Sequence, residues 1–177
     1  RYLRMASNED NYEAKYQLGI LLKQKEETKE EAAYLIKEAA DHDVLDAINT
    51  YGFIVDEGIG VRVNKGEACK YYKKAADLGQ VSAMYNYGLM MRNGDGVPIN
   101  KEESFTYFKM GADNDNVKCM YQTGLMYMNG VGTEMNKEQS MHYFKKAADK
   151  DHIDSMYFYA SLKEEQDKSL SEEAVKY

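Results

Sequence analysis

The sequence predicts an all-α protein built from repeated pairs of helices, and three observations carry this prediction. The 177 residues include one proline, no tryptophan and 44% hydrophobic residues, with many helix-forming side chains. Similar segments recur 36 residues apart along the chain. Asparagine followed three residues later by glutamate or glutamine, which is a typical helix start, recurs with the same period.

The first helix of each repeat is predicted from a segment that begins with a small residue. Three gapless copies begin at Ala47, Ala83 and Cys119 and read AINTYGFIVDEG, AMYNYGLMMRNG and CMYQTGLMYMNG. A copy with a shortened loop begins at Ala14, and a further copy begins at Ser155. Apolar or small residues lie nearly all round this segment, so we expect an inner helix that is packed on both sides.

The second helix of each repeat carries lysine and glutamate on one face, so we expect it to be an outer helix. Its copies read YLIKEAAD, KYYKKAAD, TYFKMGAD and HYFKKAAD. We expect its start to be capped by Asn64, Asn100 and Asn136, and by Thr28 with Glu31 in the short repeat. At its other end, four equivalent residues are expected to adopt a left-handed conformation: Asp43, Gly79, Asp115 and Asp151.

Glycine recurs inside the inner helix, although it costs about 1 kcal/mol there relative to alanine. The residues are Gly19, Gly52, Gly88 and Gly124, with Ala160 in the last copy. We expect the missing side chain to allow close approach of the outer helix. Small residues on the outer helix support this expectation: Ala32, Ala68, Ser104 and Ser140.

The loop between the paired helices contains glycines that could suggest a phosphate or calcium site. The stretch NGDGVPINKEES, residues 93–104, has equivalents at 57–68 and 129–140. None of the three has the glycine spacing of a phosphate loop. Only Asn93 and Asp95 begin to match a calcium loop, and the equivalents of Asp95 are Ile59 and Val131. We therefore interpret the stretch as a turn between helices.

The repeats fill the chain as one array. They span 14–46, 47–82, 83–118 and 119–154, while 1–13 is the end of a preceding repeat and 155–177 is a truncated repeat. Residues 172–177 align with the start of another outer helix. Because repeat arrays need polar terminal caps, we expect this chain to be a piece of a longer array.

The pattern Ala-x-Tyr-x-Leu/Tyr-Gly, then Gly-x-Gly-Val, then Tyr-Tyr/Phe-Lys-Lys-Ala-Ala-Asp resembles the Sel-1-like repeat family, a 36-residue relative of the tetratricopeptide repeat. The resemblance covers nearly the whole chain and is clearest in the copies at Ala47, Ala83 and Cys119. The sequence departs from the family pattern at Thr133, which replaces the valine of the loop, and in the short loop between Lys23 and Lys29. The resemblance implies a right-handed solenoid of antiparallel helix pairs whose concave face binds other proteins.

Composition limits the classes of partner. The net charge is −7 and the pI is about 5.1, which argues against a nucleic-acid surface. No apolar run approaches the roughly 18 residues of a membrane-spanning helix. Two cysteines make no disulfide framework, and no N-x-S/T acceptor occurs, so we expect a cytoplasmic protein.

Signatures of chemistry are missing from the sequence. The three histidines have no metal-ligand spacing, and neither a Ser-x-x-Lys nor a G-x-S-x-G motif occurs. We therefore predict that the chain is not an enzyme and holds no metal or cofactor.

Candidate binding residues follow from counting along the inner helix, with the initial small residue as position one. Positions three, seven and ten lie on one helical stripe. Tyrosine recurs at position three, and methionine at position two, and packing between repeats explains such recurrence more simply than binding does. Position seven is apolar, whereas position ten and the residue before the helix vary. The candidates on this surface are Asn49, Phe53, Asp56, Ser82, Tyr85, Leu89, Arg92, Lys118, Tyr121, Leu125 and Met128.

The function that we predict is a scaffold or adaptor that binds a protein or peptide on the concave face. Two alternatives remain open at this point. The chain could be the regulatory repeat segment of a larger enzyme, for example a kinase, or an architectural subunit of a large assembly.

Overall fold

The computed structural model describes residues 2–7 and 11–175, and there the chain is helical apart from short connections. The predicted all-α class is confirmed, because the described residues form helices and no β-strand. The elements are α1 (Tyr2–Ser7), α2 (Tyr12–Leu22), a 3-10 turn (Glu26–Thr28), α3 (Lys29–Asp41), α4 (Leu45–Glu57), α5 (Lys65–Asp77), α6 (Val81–Asn93), α7 (Lys101–Asp113), α8 (Val117–Asn129), α9 (Lys137–Ala148) and α10 (Ile153–Val175).

The chain divides into two compact units, residues 1–99 and 100–177. In the first unit, each helix from α1 to α6 packs on the next helix in sequence. In the second unit, α7 packs on α8, α8 on α9 and α9 on α10. Short connections join these neighbours, so each unit is a stack of helix pairs, as predicted for an α-solenoid.

Asparagine caps start the outer helices, as predicted. The side-chain oxygens of Asn64, Asn100 and Asn136 accept hydrogen bonds from the backbone N–H three residues on, at 3.1, 3.0 and 2.9 Å. The carboxylates of Glu67 and Glu103 accept from the asparagine side-chain amides, at 3.2 and 3.1 Å. These glutamates therefore hold the cap residue by its side chain, whereas a capping box uses the cap's own backbone N–H.

The predicted cap at Thr28 is wrong. The Thr28 hydroxyl donates back to the Leu22 carbonyl at 2.7 Å and makes no hydrogen bond to the first turn of α3. The reason is the shortened loop, which forms a 3-10 turn over Glu26–Thr28 immediately before α3. This turn directs the hydroxyl toward the end of α2.

The left-handed residues after the outer helices are confirmed. Their φ angles are +61° for Asp43, +90° for Gly79, +65° for Asp115 and +63° for Asp151. Aspartate tolerates this conformation better than most residues because its short side chain can form local hydrogen bonds. Each outer helix thus ends in the same turn and leads directly into the next inner helix.

The second glycine of each loop touches the preceding repeat. A Cβ atom on Gly60 would lie 2.3 Å from the carbonyl oxygen of Lys29, at the start of α3. A Cβ atom on Gly96 would lie 2.5 Å from the backbone nitrogen of Gly66, at the start of α5. The stretch that resembled a ligand loop is therefore a backbone contact between consecutive repeats.

The glycines inside the inner helices admit large side chains of the outer helices. A Cβ atom on Gly124 would lie 2.8 Å from the Phe144 ring, and one on Gly52 would lie 3.0 Å from the Tyr72 ring. The hydroxyl of Ser140 also donates to the Gly124 carbonyl at 2.9 Å. The expected close approach is confirmed, with the addition that a ring fills the space.

The expected start of another outer helix at residues 172–177 is wrong for the part that the structure describes. Helix α10 continues without a turn from Ile153 to Val175. Its second half has neither the loop glycines nor an asparagine cap, and ion pairs four residues apart support the helix, Lys163–Asp167 at 3.7 Å and Glu164–Lys168 at 2.7 Å. Residues 1 and 8–10 of the predicted first segment, and residues 176 and 177, lie outside the described residues.

Candidate protein-binding surface

We define the inner-helix stripe as positions three, seven and ten of the inner helices. In the first unit it consists of Tyr16 and Ile20 on α2 with Lys23 directly after that helix, Asn49, Phe53 and Asp56 on α4, and Tyr85, Leu89 and Arg92 on α6. In the second unit it includes Tyr121, Leu125 and Met128 on α8 and Tyr157 on α10.

Stripe residues of α2 lie against those of α4. The Lys23 ammonium lies 5.5 Å from the centre of the Phe53 ring, within the range of a cation–π interaction. The Tyr16 hydroxyl lies 3.4 Å from the hydroxyl of Thr50, which is next to Asn49 on α4. The structure therefore brings together side chains that are 30 and 34 residues apart in sequence.

A pair of asparagines connects α4 with α6 on the same surface. The side-chain amide of Asn86 donates to the side-chain oxygen of Asn49 at 3.3 Å, and both residues are half-buried. Asn86 is at position four, directly after Tyr85, and was not predicted as a site residue. Its polar character among apolar neighbours is the signal that could have identified it.

Exposure separates the stripe from the core positions of the same helices. Phe53 is 42% exposed, and Asn49, Tyr85, Leu89 and Arg92 are half-buried. By contrast, Ile48, Ile54, Met84 and Met90 are buried. The candidate Ser82, the second residue of α6, is exposed. The first unit therefore presents a polar and apolar surface along three neighbouring inner helices.

The charge at position ten of α4 is already engaged. The Asp56 carboxylate accepts a hydrogen bond from the Lys65 ammonium at 2.5 Å, and the two groups form an ion pair. This hydrogen bond raises the pKa of the Lys65 ammonium. The carboxylate is half-buried and its charge is compensated within the protein. Asp56 therefore offers a ligand less charge than its position in the sequence indicates.

In the second unit, the stripe is partly occupied by aromatic packing. The Tyr121 ring centre lies 4.8 Å from that of His152 and 6.1 Å from those of Phe144 and Phe158. Burial, and then the charge of Asp154, raise the pKa of the Tyr121 phenol. The other α8 candidates differ in exposure: Leu125 and Met128 are half-buried, and Lys118 is exposed.

The methionines at position two are core residues in two of three repeats. Met84 and Met120 are buried, as predicted. The prediction is wrong for Met156, which is 42% exposed, and its neighbour Tyr157 is 69% exposed. Both lie on α10, where the described residues include no following helix to cover them.

An ion pair of a buried lysine in the first repeat was not predicted. The Lys15 ammonium lies 2.6 Å from the Glu38 carboxylate, and Lys15 is buried. The residues equivalent to Lys15 are Ile48, Met84 and Met120, all of them buried. A lysine at this apolar repeat position was the available signal.

Among residues 2–7 and 11–175, the His, Cys, Asp and Glu side chains form no group of three or more that could hold a metal ion. No helix in that part of the chain combines the length and the apolar character that crossing a membrane requires.

Comparison with a family profile identifies three Sel1 repeats, at residues 46–80, 81–116 and 117–152. These begin one or two residues before the repeats counted from Ala47, Ala83 and Cys119. Sel1 repeat proteins are generally non-catalytic protein-interaction scaffolds. No curated protein matches the chain significantly.

Solved structures are similar in fold. A protective antigen of uropathogenic Escherichia coli strains that displays an SLR fold is 27% identical, with a TM-score of 0.83, over 87% of this chain and 34% of the antigen. A Sel1 repeat protein from Oxalobacter formigenes is 24% identical, with a TM-score of 0.76, over 81% of this chain and 59% of that protein. A third structure, from Klebsiella pneumoniae subsp. pneumoniae, is 17% identical, with a TM-score of 0.53, over 92% of this chain and 82% of the other.

The chain thus spans about a third of the length of the antigen and about three fifths of the Oxalobacter protein. The three profile matches together cover more than half of its residues. The helix pairs, the loop contacts between repeats and these matches agree, and the chain belongs to the Sel1 repeat family.

Proposed function

We propose that the chain is a non-enzymatic scaffold that binds a protein or an extended peptide on the inner-helix stripe, which we assign to the concave side of the array. The observation that carries the proposal is the exposure of this stripe in the first unit. Phe53 and its half-buried neighbours form a surface across α2, α4 and α6, whereas Ile48, Ile54, Met84 and Met90 on α4 and α6 are buried. Because the stripe residues differ between repeats, this surface would be specific for one partner.

The side chains of the stripe suit recognition of a peptide. Phe53 and Leu89 offer apolar area to a partner's side chain, and aromatic residues commonly dominate binding energy at interfaces. The amides of Asn49 and Asn86 carry donors and acceptors of the kind that pair with a peptide backbone. Arg92 lies near the end of α6 and contributes a positive charge.

Two substitutions on the stripe, Phe53→Ala and Arg92→Glu, test this proposal. Arg62→Glu is the matched control, because it makes the same charge reversal at an exposed loop position outside the stripe. The wild-type chain serves as bait for affinity capture with mass spectrometry. The affinity of each captured partner is then measured for all three variants, and circular dichroism verifies that each variant is folded.

Phe53→Ala is expected to weaken binding of a true partner by about tenfold or more, the usual effect of removing an interface anchor. Arg92→Glu should also weaken it, whereas Arg62→Glu should have no effect. A partner that binds all three folded variants as tightly as the wild type would contradict the proposed surface.

A further inference from the structure

A side chain from the residue directly before the helix caps the inner helices α2, α6, α8 and α10. Asn11, Gln80 and Asn116 each use a side-chain oxygen to accept a hydrogen bond from the backbone N–H three residues on, at 2.9, 2.8 and 3.0 Å. Before α10 this place is taken by His152, whose Nδ1 accepts from the Ser155 N–H at 3.3 Å. The same cap is thus made by an amide in three repeats and by an imidazole in one.

The imidazole cap differs from the amide caps because it can gain a proton near neutral pH. Nδ1 accepts the Ser155 N–H through its lone pair, so the cap requires the neutral ring with its proton on Nε2. Histidine side chains ordinarily gain a second proton at about pH 6.5. That proton occupies the lone pair of Nδ1 and turns the acceptor into a donor. Mild acid therefore acts on the cap of α10 and spares the amide caps.

Protonation of His152 has two costs for the start of α10. Ser155 is fully buried, so water does not readily replace Nδ1 as the acceptor for its N–H. The imidazolium charge also lies at the N-terminus of the helix, where the helix dipole disfavours a cation. The Ser155 hydroxyl, 2.9 Å from Nδ1, can accept from the protonated ring, but the backbone N–H still loses its partner. Mild acid should therefore loosen the first turn of α10.

The His152 ring also contacts the inner-helix stripe. Its centre lies 4.8 Å from that of Tyr121 on α8, with an angle of 40° between the ring planes. A second ring of α10, Phe158, lies 6.1 Å from Tyr121 and only three residues after Ser155. The start of α10 thus supplies two of the rings that pack on Tyr121, and a change in its first turn reaches this residue.

Apart from His142 on α9, the titratable groups around His152 keep their charge between about pH 8 and pH 5.5. Asp151 and Asp154 flank His152 in the chain, and carboxylates stay ionised above about pH 5. Burial, and then the charge of Asp154, raise the pKa of Tyr121, so this phenol stays neutral. The other charged residues of α8, of the end of α9 and of the turn before α10 are Lys118, Lys145, Lys146, Asp149 and Lys150.

Three of these lysines have carboxylates beside them. Lys145 pairs with Asp149 at 2.7 Å, and Lys150 pairs with Asp115 at 3.6 Å. The charge of Lys146 acts on Asp113 and helps to lower the pKa of that carboxyl group. None of these groups titrates near pH 6.5, so a change of structure in that range reports a histidine.

We propose that His152 is a pH-sensitive cap, which holds the start of α10 against Tyr121 when it is neutral and releases it when it is protonated. The stability that the cap contributes is complete above the range in which histidine titrates, and it is lost as the pH falls through that range. Because Tyr121 belongs to the inner-helix stripe, the release alters the candidate binding surface of the second unit. This consequence for binding rests on the proposed function, whereas the switch itself does not.

Titration of the ¹⁵N-labelled chain from about pH 8 to about pH 5.5, followed by NMR, tests the switch. The amide signal of Ser155 and the ring protons of Tyr121 should shift with the same midpoint as the ring protons of His152. The protection factor of the Ser155 amide against hydrogen exchange should fall by roughly fivefold, the effect of a lost helix cap. No partner protein takes part in this measurement, so its result is independent of the scaffold function.

Two substitutions borrow residues that other repeats already carry at the same positions. His152→Asn supplies the cap found at Asn116, and Ser155→Ala supplies the residue found at Ala83. His152→Asn should keep the amide of residue 155 protected throughout the titration, because an amide cap does not titrate. Ser155→Ala should retain the fall in protection, because the backbone N–H and the imidazole both remain. His142→Asn is the matched control, which removes an exposed histidine of α9 and should titrate like the wild type.

Three outcomes would overturn the switch. The Ser155 amide could keep its protection while the His152 ring titrates, which would show that Nδ1 does not cap the helix. The His152→Asn variant could lose protection in acid as the wild type does, which would show that another group titrates. The Ser155→Ala variant could abolish the fall, which would assign the effect to the hydroxyl group and not to the backbone N–H.

Discussion

At the scale of single residues, two glycines with similar backbone angles have different roles. Gly60 and Gly79 have φ angles of +68° and +90°. A Cβ atom on Gly60 would overlap the Lys29 carbonyl, whereas nothing lies within 4 Å of a Cβ atom on Gly79. The first glycine is needed for close packing between repeats, and the second only for its conformation.

Substitution by alanine should separate these two roles. Gly79→Ala should lower the free energy of unfolding by about 1 kcal/mol, the cost of a left-handed alanine. Gly60→Ala should lower it by about 2 kcal/mol more, because the added methyl group forces the backbones apart. Urea unfolding followed by circular dichroism measures both values. Equal destabilisation by the two substitutions would show that the loop contact is unimportant.

The limits of sequence-based prediction are also visible in single residues. The periodicity identified Asn64, Asn100 and Asn136 as caps because a cap depends on neighbours three residues away. It could not show that Lys65 neutralises Asp56, or that Tyr121 lies against His152, because those contacts depend on how the chain folds back. Contacts between residues close in sequence could thus be predicted, whereas contacts between residues far apart in sequence could not.

At the scale of secondary-structure elements, the starts of the outer helices depend on their asparagine caps. In α7, the Asn100 side chain accepts from the Glu103 N–H at 3.0 Å and donates to the Glu103 carboxylate at 3.1 Å. Asn100→Ala removes both hydrogen bonds and should cost about 1 kcal/mol of stability. Asn100→Ser retains an acceptor without placing a second negative charge beside Glu103, and it should cost about 0.3 kcal/mol or less. Thermal unfolding of the two variants tests this order, and a reversed order would contradict the role of the cap.

A network of Lys109, Asp113 and Tyr143 joins consecutive outer helices α7 and α9. Asp113 accepts from the Lys109 ammonium at 2.8 Å and from the Tyr143 hydroxyl at 3.1 Å. Burial alone would raise the pKa of Asp113, but the hydrogen bonds from Lys109 and Tyr143 outweigh it and lower that pKa. Burial, followed by the charge of Asp113, raises the pKa of the Tyr143 phenol.

This network should make stability depend on pH on the acid side. Because the folded pKa of Asp113 is lowered, its contribution is complete above the unfolded value of about 3.9. The contribution is lost as the pH falls through the lower, folded value. Asp113→Asn should therefore reduce the difference between the thermal midpoints at pH 7 and pH 3. An unchanged difference would show that the carboxylate adds no stability.

The prediction of helix boundaries is wrong for α10, whose sequence contains no signal that ends the helix. The alignment predicted a turn before residue 172, yet α10 continues to Val175. The repeats that do turn have glycines and an asparagine cap, and residues 163–175 have neither. The predicted turn rested only on alignment with the earlier repeats of the chain. The lysine and glutamate residues of this segment favour a continuous helix.

At the scale of the whole molecule, the fold class followed from the sequence because a repeat presents the same local evidence several times. The binding surface followed less completely, since positions three and seven are fixed by the helix but their exposure depends on the neighbouring repeats. Phe53 and Tyr121 illustrate this dependence. Phe53 is exposed beside Lys23, whereas Tyr121 packs among aromatic rings of α9 and α10.

The net charge leads to a prediction for the molecule as a whole. A chain with a charge of −7 and scattered lysines should not bind a polyanion at physiological salt. In a gel-shift assay, a 20-base-pair DNA duplex should migrate unchanged at micromolar concentrations of the protein. Addition of a basic peptide that binds DNA provides the positive control, and a shift by the protein alone would contradict this reading of its charge.

The contact between each loop and the preceding outer helix has a consequence for protein engineering. Gly60 and Gly96 make this joint with backbone atoms, and the residue that precedes each of them differs between repeats. Nature already places Ile59, Asp95 and Val131 at this one position. Substitutions at this position should therefore leave the glycine contacts between repeats intact. Because the position recurs every 36 residues, these loops are suitable sites for attaching labels or new binding groups.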